Sequence, residues 1–100
     1  MKKYFICQID WISYEEGGRK KIPSKGVRYC PLIRINGAVS YEEWSIDFIC
    51  PDFKETDLIK FQFLVDDAPC ELIEKNMDYN IYEGNRKVAR LKIIERYDNE

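Results

Sequence analysis

Hydrophobic and polar positions alternate with a period of two along most of this chain, the pattern of half-buried strands and not of amphipathic helices. From Tyr4 to Ile12, the residues Phe5, Cys7, Ile9 and Trp11 fall on one face and Tyr4, Gln8 and Asp10 on the other. Val27 to Ile35 repeats the pattern, with Val27, Tyr29, Ile33 and Ile35 opposed to Arg28 and Arg34. Pro31 interrupts this second strand and, lacking a ladder donor, predicts an edge or a bulge. After the Asn36-Gly37 turn signal, Trp44, Ile46, Phe48 and Cys50 alternate with Ser45 and Asp47, and Pro51-Asp52 stops the run. A fourth strand, Leu58 to Val65, points Ile59, Phe61, Phe63 and Val65 inward and Lys60 and Gln62 outward. The last two strands, Met77 to Glu83 and Arg86 to Glu95, flank Gly84-Asn85, a dipeptide suited to the positive φ values of a two-residue hairpin.

The intervening segments read as loops. Gly17 to Gly26 holds three glycines, Pro23 and the cations Arg19, Lys20, Lys21 and Lys25, a composition that predicts a long exposed loop. Cys70 to Asn76 has room for no more than one helical turn. Ser-Tyr-Glu-Glu occurs at Ser13 and again at Ser40, but the flanks do not match in register, so it reads as chance. Six short strands without a convincing helix predict one all-β domain over residues 1–100, an antiparallel barrel or sandwich; closure would remove the edges that invite aggregation.

Composition agrees with that architecture. A chain of 100 residues, 45% hydrophobic and 34% charged, can build one core and not two. The 14% of aromatic residues suits pleated, half-buried surfaces. Sixteen basic against eighteen acidic side chains leave a formal charge of −2, so any contact with nucleic acid must come from a local patch. The apolar run near the N-terminus is too short for a signal-peptide core and no segment reaches the length of a membrane span, which predicts a cytoplasmic protein without a membrane partner. Cys7, Cys30, Cys50 and Cys70 stand too far apart for a metal knuckle or a redox pair, and are expected as reduced thiols in core or half-buried positions. A tetrathiolate site or a pair of disulfides is the alternative, because strands distant in sequence can meet.

Two segments suggest a relative. Gly17-Gly18-Arg19-Lys20-Lys21-Ile22-Pro23 through Val27-Arg28-Tyr29-Cys30-Pro31-Leu32 resembles the second strand region of the C-terminal β-barrel domain of elongation factor Tu, where Gly-Gly-Arg leads through a basic loop into an aromatic strand. Tyr79-Asn80-Ile81-Tyr82-Glu83-Gly84-Asn85-Arg86-Lys87-Val88-Ala89 resembles the closing hairpin of that domain, with Asn85 where the family carries a second glycine. The resemblance implies a closed six-stranded antiparallel barrel which, in translation factors, packs against a GTPase domain and a second barrel and touches the T stem of aminoacyl-tRNA. No Gly-x-x-x-x-Gly-Lys-Ser/Thr loop is present here, so the nucleotide chemistry of that family is not expected.

Candidate chemistry is sparse. The chain has no His, the usual base at neutral pH and the commonest nitrogen ligand for metals. Asp66, Asp67 and Glu71 form the best carboxylate cluster, but acids beside Ala68-Pro69 read more simply as a solvated turn. No cysteine has a recognisable activating partner. The sequence therefore predicts no enzyme, no cofactor and no metal, and a binding module instead. Its candidate contacts are Arg19, Lys20, Lys21, Lys25 and Arg28 with Tyr29 beside them as a stacking surface, and the second cation cluster at Arg86 and Lys87 with Arg90 and Lys92. Lysines also serve simply to keep an exposed loop solvated. Tyr4, Ile6, Leu32, Ile49, Leu64 and Tyr82 break the polar half of the alternation, and exposed together they would make an apolar interface. A protein partner is the leading expectation, with self-association compatible with such a face, and a tRNA or other RNA contact through Arg19, Lys20, Lys21, Arg86 and Lys87 is the rival.

Overall fold

The alternating segments pair with one another because each strand has one apolar face to bury and a row of backbone donors and acceptors to satisfy. In the computed structural model, which describes residues 2–37 and 39–99, they form β1 (Lys2–Trp11), β2 (Arg28–Tyr29), β3 (Leu32–Asn36), β4 (Tyr41–Ile49), β5 (Leu58–Phe63), β6 (Asp78–Glu83) and β7 (Arg86–Asn99). Every pairing is antiparallel, and following the neighbours β1–β5–β4–β3–β6–β7 returns to β1. The ring is a closed six-stranded barrel. Two short 3-10 turns, Tyr14–Glu16 and Cys70–Leu72, lie in the loops. The two Ser-Tyr-Glu-Glu segments diverge accordingly, the first forming a 3-10 turn and the second opening β4.

β2 and β3 are one strand broken at Cys30-Pro31. Both lie on β4 in a single register, Tyr29 opposite Phe48 and Leu32 opposite Ser45, so Pro31 makes no bulge; of the two expectations the edge holds, since β2 pairs with β4 alone. Ile46 donates its N–H to the Pro31 carbonyl at 3.0 Å, and the reciprocal bond is missing because proline has no N–H. The bulges lie on β7 instead. Its Val88 has no counterpart between the pairs Ile81–Ala89 and Tyr82–Lys87, and its Ile94 none between Cys7–Ile93 and Ile6–Glu95. An extra residue of this kind bends its strand and adds twist, which helps β7 wrap from β6 to β1, and it lets Val88 and Ala89 both face the core.

The interior is filled by Phe5, Phe48 and Phe61 with Ile33, Ile46, Ile81, Leu91 and Ile93, all almost wholly removed from water. Phe5 stacks on Phe61 at 4.9 Å between ring centroids and meets Phe63 edge-on at 6.1 Å. Each fully buried side chain of this size contributes roughly 1.5–3 kcal/mol. Two residues expected inside are not. Val27 belongs to the turn that ends the long loop, its N–H donating to the Ser24 carbonyl, and Val65 has passed the end of β5 into a turn where its carbonyl accepts from Ala68; both side chains are exposed. Cys30, expected in the core or half-buried, points outward between buried Tyr29 and Pro31 and is exposed.

The antiparallel order sends the 12–27 loop, the 50–57 loop and the 84–85 turn to one end of the barrel, and the 37–40 and 64–77 connections to the other. Among the described residues, no helix is long and apolar enough to cross a membrane.

Candidate interaction surfaces of the barrel

The loop that carries the first cation cluster is shaped at its start by Gly17 and Gly18. Gly17 sits at φ 101°, a left-handed value that favours glycine, and a Cβ on Gly18 would lie 2.0 Å from the Ile12 carbonyl oxygen. The chain can therefore fold back on the end of β1 and turn Arg19 toward the barrel. Arg19 donates to the Lys21 carbonyl at 2.8 Å, lies 5.3 Å from the centroid of the Tyr29 ring and donates to Glu83 at the end of β6. The Tyr29 hydroxyl donates to the same Glu83 oxygen. Burial raises the Tyr29 hydroxyl above its ordinary value, helped by the Glu83 charge. Burial alone would also raise the Glu83 carboxyl, but the hydrogen bonds from Tyr29 and Arg19 outweigh it and hold the group below its ordinary value.

This clasp redraws the predicted contact set. Tyr29 is only 8% exposed, packed by Trp11 at 5.7 Å and Phe48 at 5.5 Å, so it offers no stacking surface to a base. Trp11 also meets Phe53 edge-on at 5.5 Å, and its buried indole N–H has no acceptor among the described residues. Arg28 is held by Asp47 of the neighbouring strand at 2.8 Å. Arg19 and Tyr29 thus fasten the loop down, while Lys20, Lys21 and Lys25 remain exposed.

Of the second cation cluster, Arg86, Lys87 and Arg90 arrive at the same end, while Lys92 lies farther along β7 between Gln8 and Asp78. Glu83 and Arg86 flank the Gly84-Asn85 turn, in which Gly84 alone takes positive φ (59°), the requirement of a type II′ hairpin; Asn85 does not, contrary to the expectation for both positions. Lys20, Lys21 and Arg86 line a concavity of about 340 Å³ with Arg19 and Glu83, and Arg86 is shared with a wider one of about 650 Å³ that Lys87 and Arg90 border. A third, of about 420 Å³, lies where Ile22, Pro23 and Phe53 meet between Lys25 and Lys54. None of Lys20, Lys21, Lys25, Arg86 and Lys87 forms an ion pair among the described residues.

The six outward apolar residues do not make one patch, because β1 and β3 stand opposite each other in the six-strand ring. Leu32 pairs with Tyr82 on one wall, where the Arg34 guanidinium lies 3.9 Å from the ring centroids of both Tyr41 and Tyr82 and donates two hydrogen bonds to Glu43 at 2.8 and 3.1 Å. Tyr4 and Ile6 belong to the other wall. There Tyr4 stacks on Tyr97 at 5.0 Å with the Lys60 ammonium 4.4 Å from its ring, and Ile6 lies between Lys60 and Glu95. Ile49 is exposed opposite Arg28 near the basic end, and Leu64 is exposed just past β5.

No protein-family model matches the chain, and no curated protein is similar to it.

The remaining candidates stay apart. All four cysteines are free thiols, and the described residues contain no group of three or more His, Cys, Asp or Glu side chains that could hold a metal ion. Asp66, Asp67 and Glu71 are exposed in the loop at the far end, Asp66 and Glu71 beside a concavity that Lys3 and Cys70 also line. Three participants escaped the sequence reading. Glu83 carried no signal beyond its place before a turn, although it is what holds Arg19 and Tyr29. Arg34 is legible as outward-facing but not as a partner of Tyr41, because the alternation becomes clear only from Trp44 and the pairing Asn36–Tyr41 extends the strand ahead of it. Tyr97 lay past the expected end of the last strand.

Proposed function

We propose that the chain is a non-catalytic binding module, a barrel of the elongation factor Tu C-terminal type, whose partner is a protein. The observation that carries this reading is the Tyr41–Arg34–Tyr82 stack on the outer wall of β3, β4 and β6, with Glu43 fixing the guanidinium. Tyrosine and arginine dominate the energetic centres of protein interfaces, and side chains already ordered before binding lose less freedom on docking. Tyr41 is 51% exposed, so the stack presents a ring face to a partner. The closed six-stranded ring, with the Gly-Gly-Arg loop and the Glu83–Arg86 hairpin meeting at one end, supports the family assignment.

The test is affinity capture from a lysate of the source cells, with and without ribonuclease, using the chain and its Tyr41→Ala variant. A protein that survives ribonuclease and is reduced at least about tenfold by the substitution is the expected result. Captured proteins that are indifferent to Tyr41→Ala remove this wall from the reading.

A second reading has its own support. Lys20, Lys21, Arg86 and Lys87, remote in sequence, converge at one end and are free to neutralise phosphates. An RNA ligand there would copurify as material absorbing near 260 nm and dissociate steeply with added salt.

A further inference from the structure

The stretch from Lys20 to Lys25 walls two adjoining concavities of different character. On one side Lys20 and Lys21 face Arg86, and the one carboxylate there, Glu83, is already engaged by Arg19 and Tyr29. On the other, Ile22 and Pro23 meet Phe53 over a largely apolar floor rimmed by Lys25 and Lys54. Its carboxylate, Asp52, accepts from the Lys54 backbone N–H at 3.0 Å and so belongs to its own turn. The combination is an apolar slot with cations on both sides, in excess over the carboxylates Glu83 and Asp52.

Resting on the protein-binding reading, we propose that this end of the barrel takes an extended acidic segment of the partner protein, one apolar side chain seated between Ile22, Pro23 and Phe53 and flanking carboxylates over Lys20, Lys21 and Arg86. Charge complementarity selects the acidic character, because opposite potentials steer encounter and fix register. The slot favours a peptide over duplex RNA. A duplex keeps its bases stacked inside and offers only sugar and phosphate to Ile22, Pro23 and Phe53, and the Tyr29 ring at this end is packed away from contact.

The experiment is selection of a displayed library of random decapeptides on the full chain, with the Lys20→Glu/Lys21→Glu variant for counter-selection. Fluorescence anisotropy of the enriched peptides then follows, on the chain, the double variant and Ile22→Ser. All three substituted side chains are exposed, and thermal melts verify that the variants fold. The expected peptides carry acids on both sides of Leu, Ile or Phe. They lose at least about tenfold in affinity on the charge-reversed variant and a smaller but measurable factor on Ile22→Ser. Failure to enrich any peptide, enrichment without acids, or affinity indifferent to both variants overturns the proposal. A duplex RNA that displaces the peptides at lower concentration than they bind makes the site a nucleic-acid site and also overturns it. So does concentration-dependent self-association in sedimentation that Lys20→Glu/Lys21→Glu abolishes, since the occupant is then a second copy. If selection fails while Tyr41→Ala still loses the captured protein, only the assignment of the basic end falls; loss of both removes the protein-binding reading itself.

Discussion

The guanidinium of Arg19 lies over the ring of Tyr29, and the two side chains reach the same oxygen of Glu83. The loop is therefore latched to the last hairpin by a carboxylate that must stay ionised and a phenol that must stay protonated. Glu83 titrates below its ordinary value in the folded state, so its contribution is present above the carboxylate range and is lost as pH falls through it. Tyr29 titrates above its ordinary value, so its contribution is present below about pH 10 and is lost at higher pH. Glu83→Gln should lower stability near neutral pH by about 1 kcal/mol and flatten the acid limb of a plot of melting temperature against pH. An unchanged acid limb would show that the latch contributes nothing.

Gly18→Ala should be far more damaging than a one-methyl change in a surface loop ordinarily is. Its Cβ would stand 2.0 Å from a backbone oxygen, and no rotamer change can relieve a clash with the main chain. A loss of at least about 2 kcal/mol in denaturant unfolding is expected, together with altered amide shifts from Ile12 to Lys21. Gly17→Ala, in open space but at positive φ, should cost less, about 1 kcal/mol.

Lys20→Glu/Lys21→Glu should leave stability within about 0.5 kcal/mol of the parent, because neither lysine is paired or buried. Thermal unfolding of the double variant checks this. A larger loss would mean that the lysines help to hold the loop and would disqualify the variant as a probe of binding.

Alkylation should rank the thiols by burial. Cys30, exposed between β2 and β3, reacts first, half-buried Cys70 follows, and Cys7 and Cys50 react only on unfolding. Burial raises Cys7, Cys50 and Cys70 above the ordinary thiol value, so their nucleophilic thiolate is scarce as well as shielded. Peptide mapping after timed exposure to iodoacetamide gives the order directly.

The barrel was more legible in the sequence than its surfaces were. Alternation placed Phe5, Cys7, Ile9, Ile33, Ile46, Phe48 and Phe61 correctly inside, because pleat geometry leaves no choice once a strand begins. It failed at Val27 and Val65, where the period continues on paper beyond the last ladder pair. It was silent on the bulges at Val88 and Ile94, which are set by the need of β7 to serve two neighbours. The basic residues were legible as two separate clusters; their union required knowing that the 12–27 loop and the 84–85 turn leave by the same end. Glu83 and the pairing of Arg34 with Tyr41 are products of tertiary register, and no local spacing announces them.

Closure through β1 has a consequence for how the protein is made. Both neighbours of β1, the strands β5 and β7, lie in the second half of the chain. During synthesis β1 must wait, with both edges unpaired and Phe5, Cys7 and Ile9 uncovered, until β5 has left the ribosome. Its earliest substantial partner, β5, pairs along only one side, and the ring stays open until β7 emerges. Long-range pairing of this kind is slow compared with local structure. The nascent chain therefore passes through a sticky interval in which a chaperone, or crowding by its own copies, decides its fate.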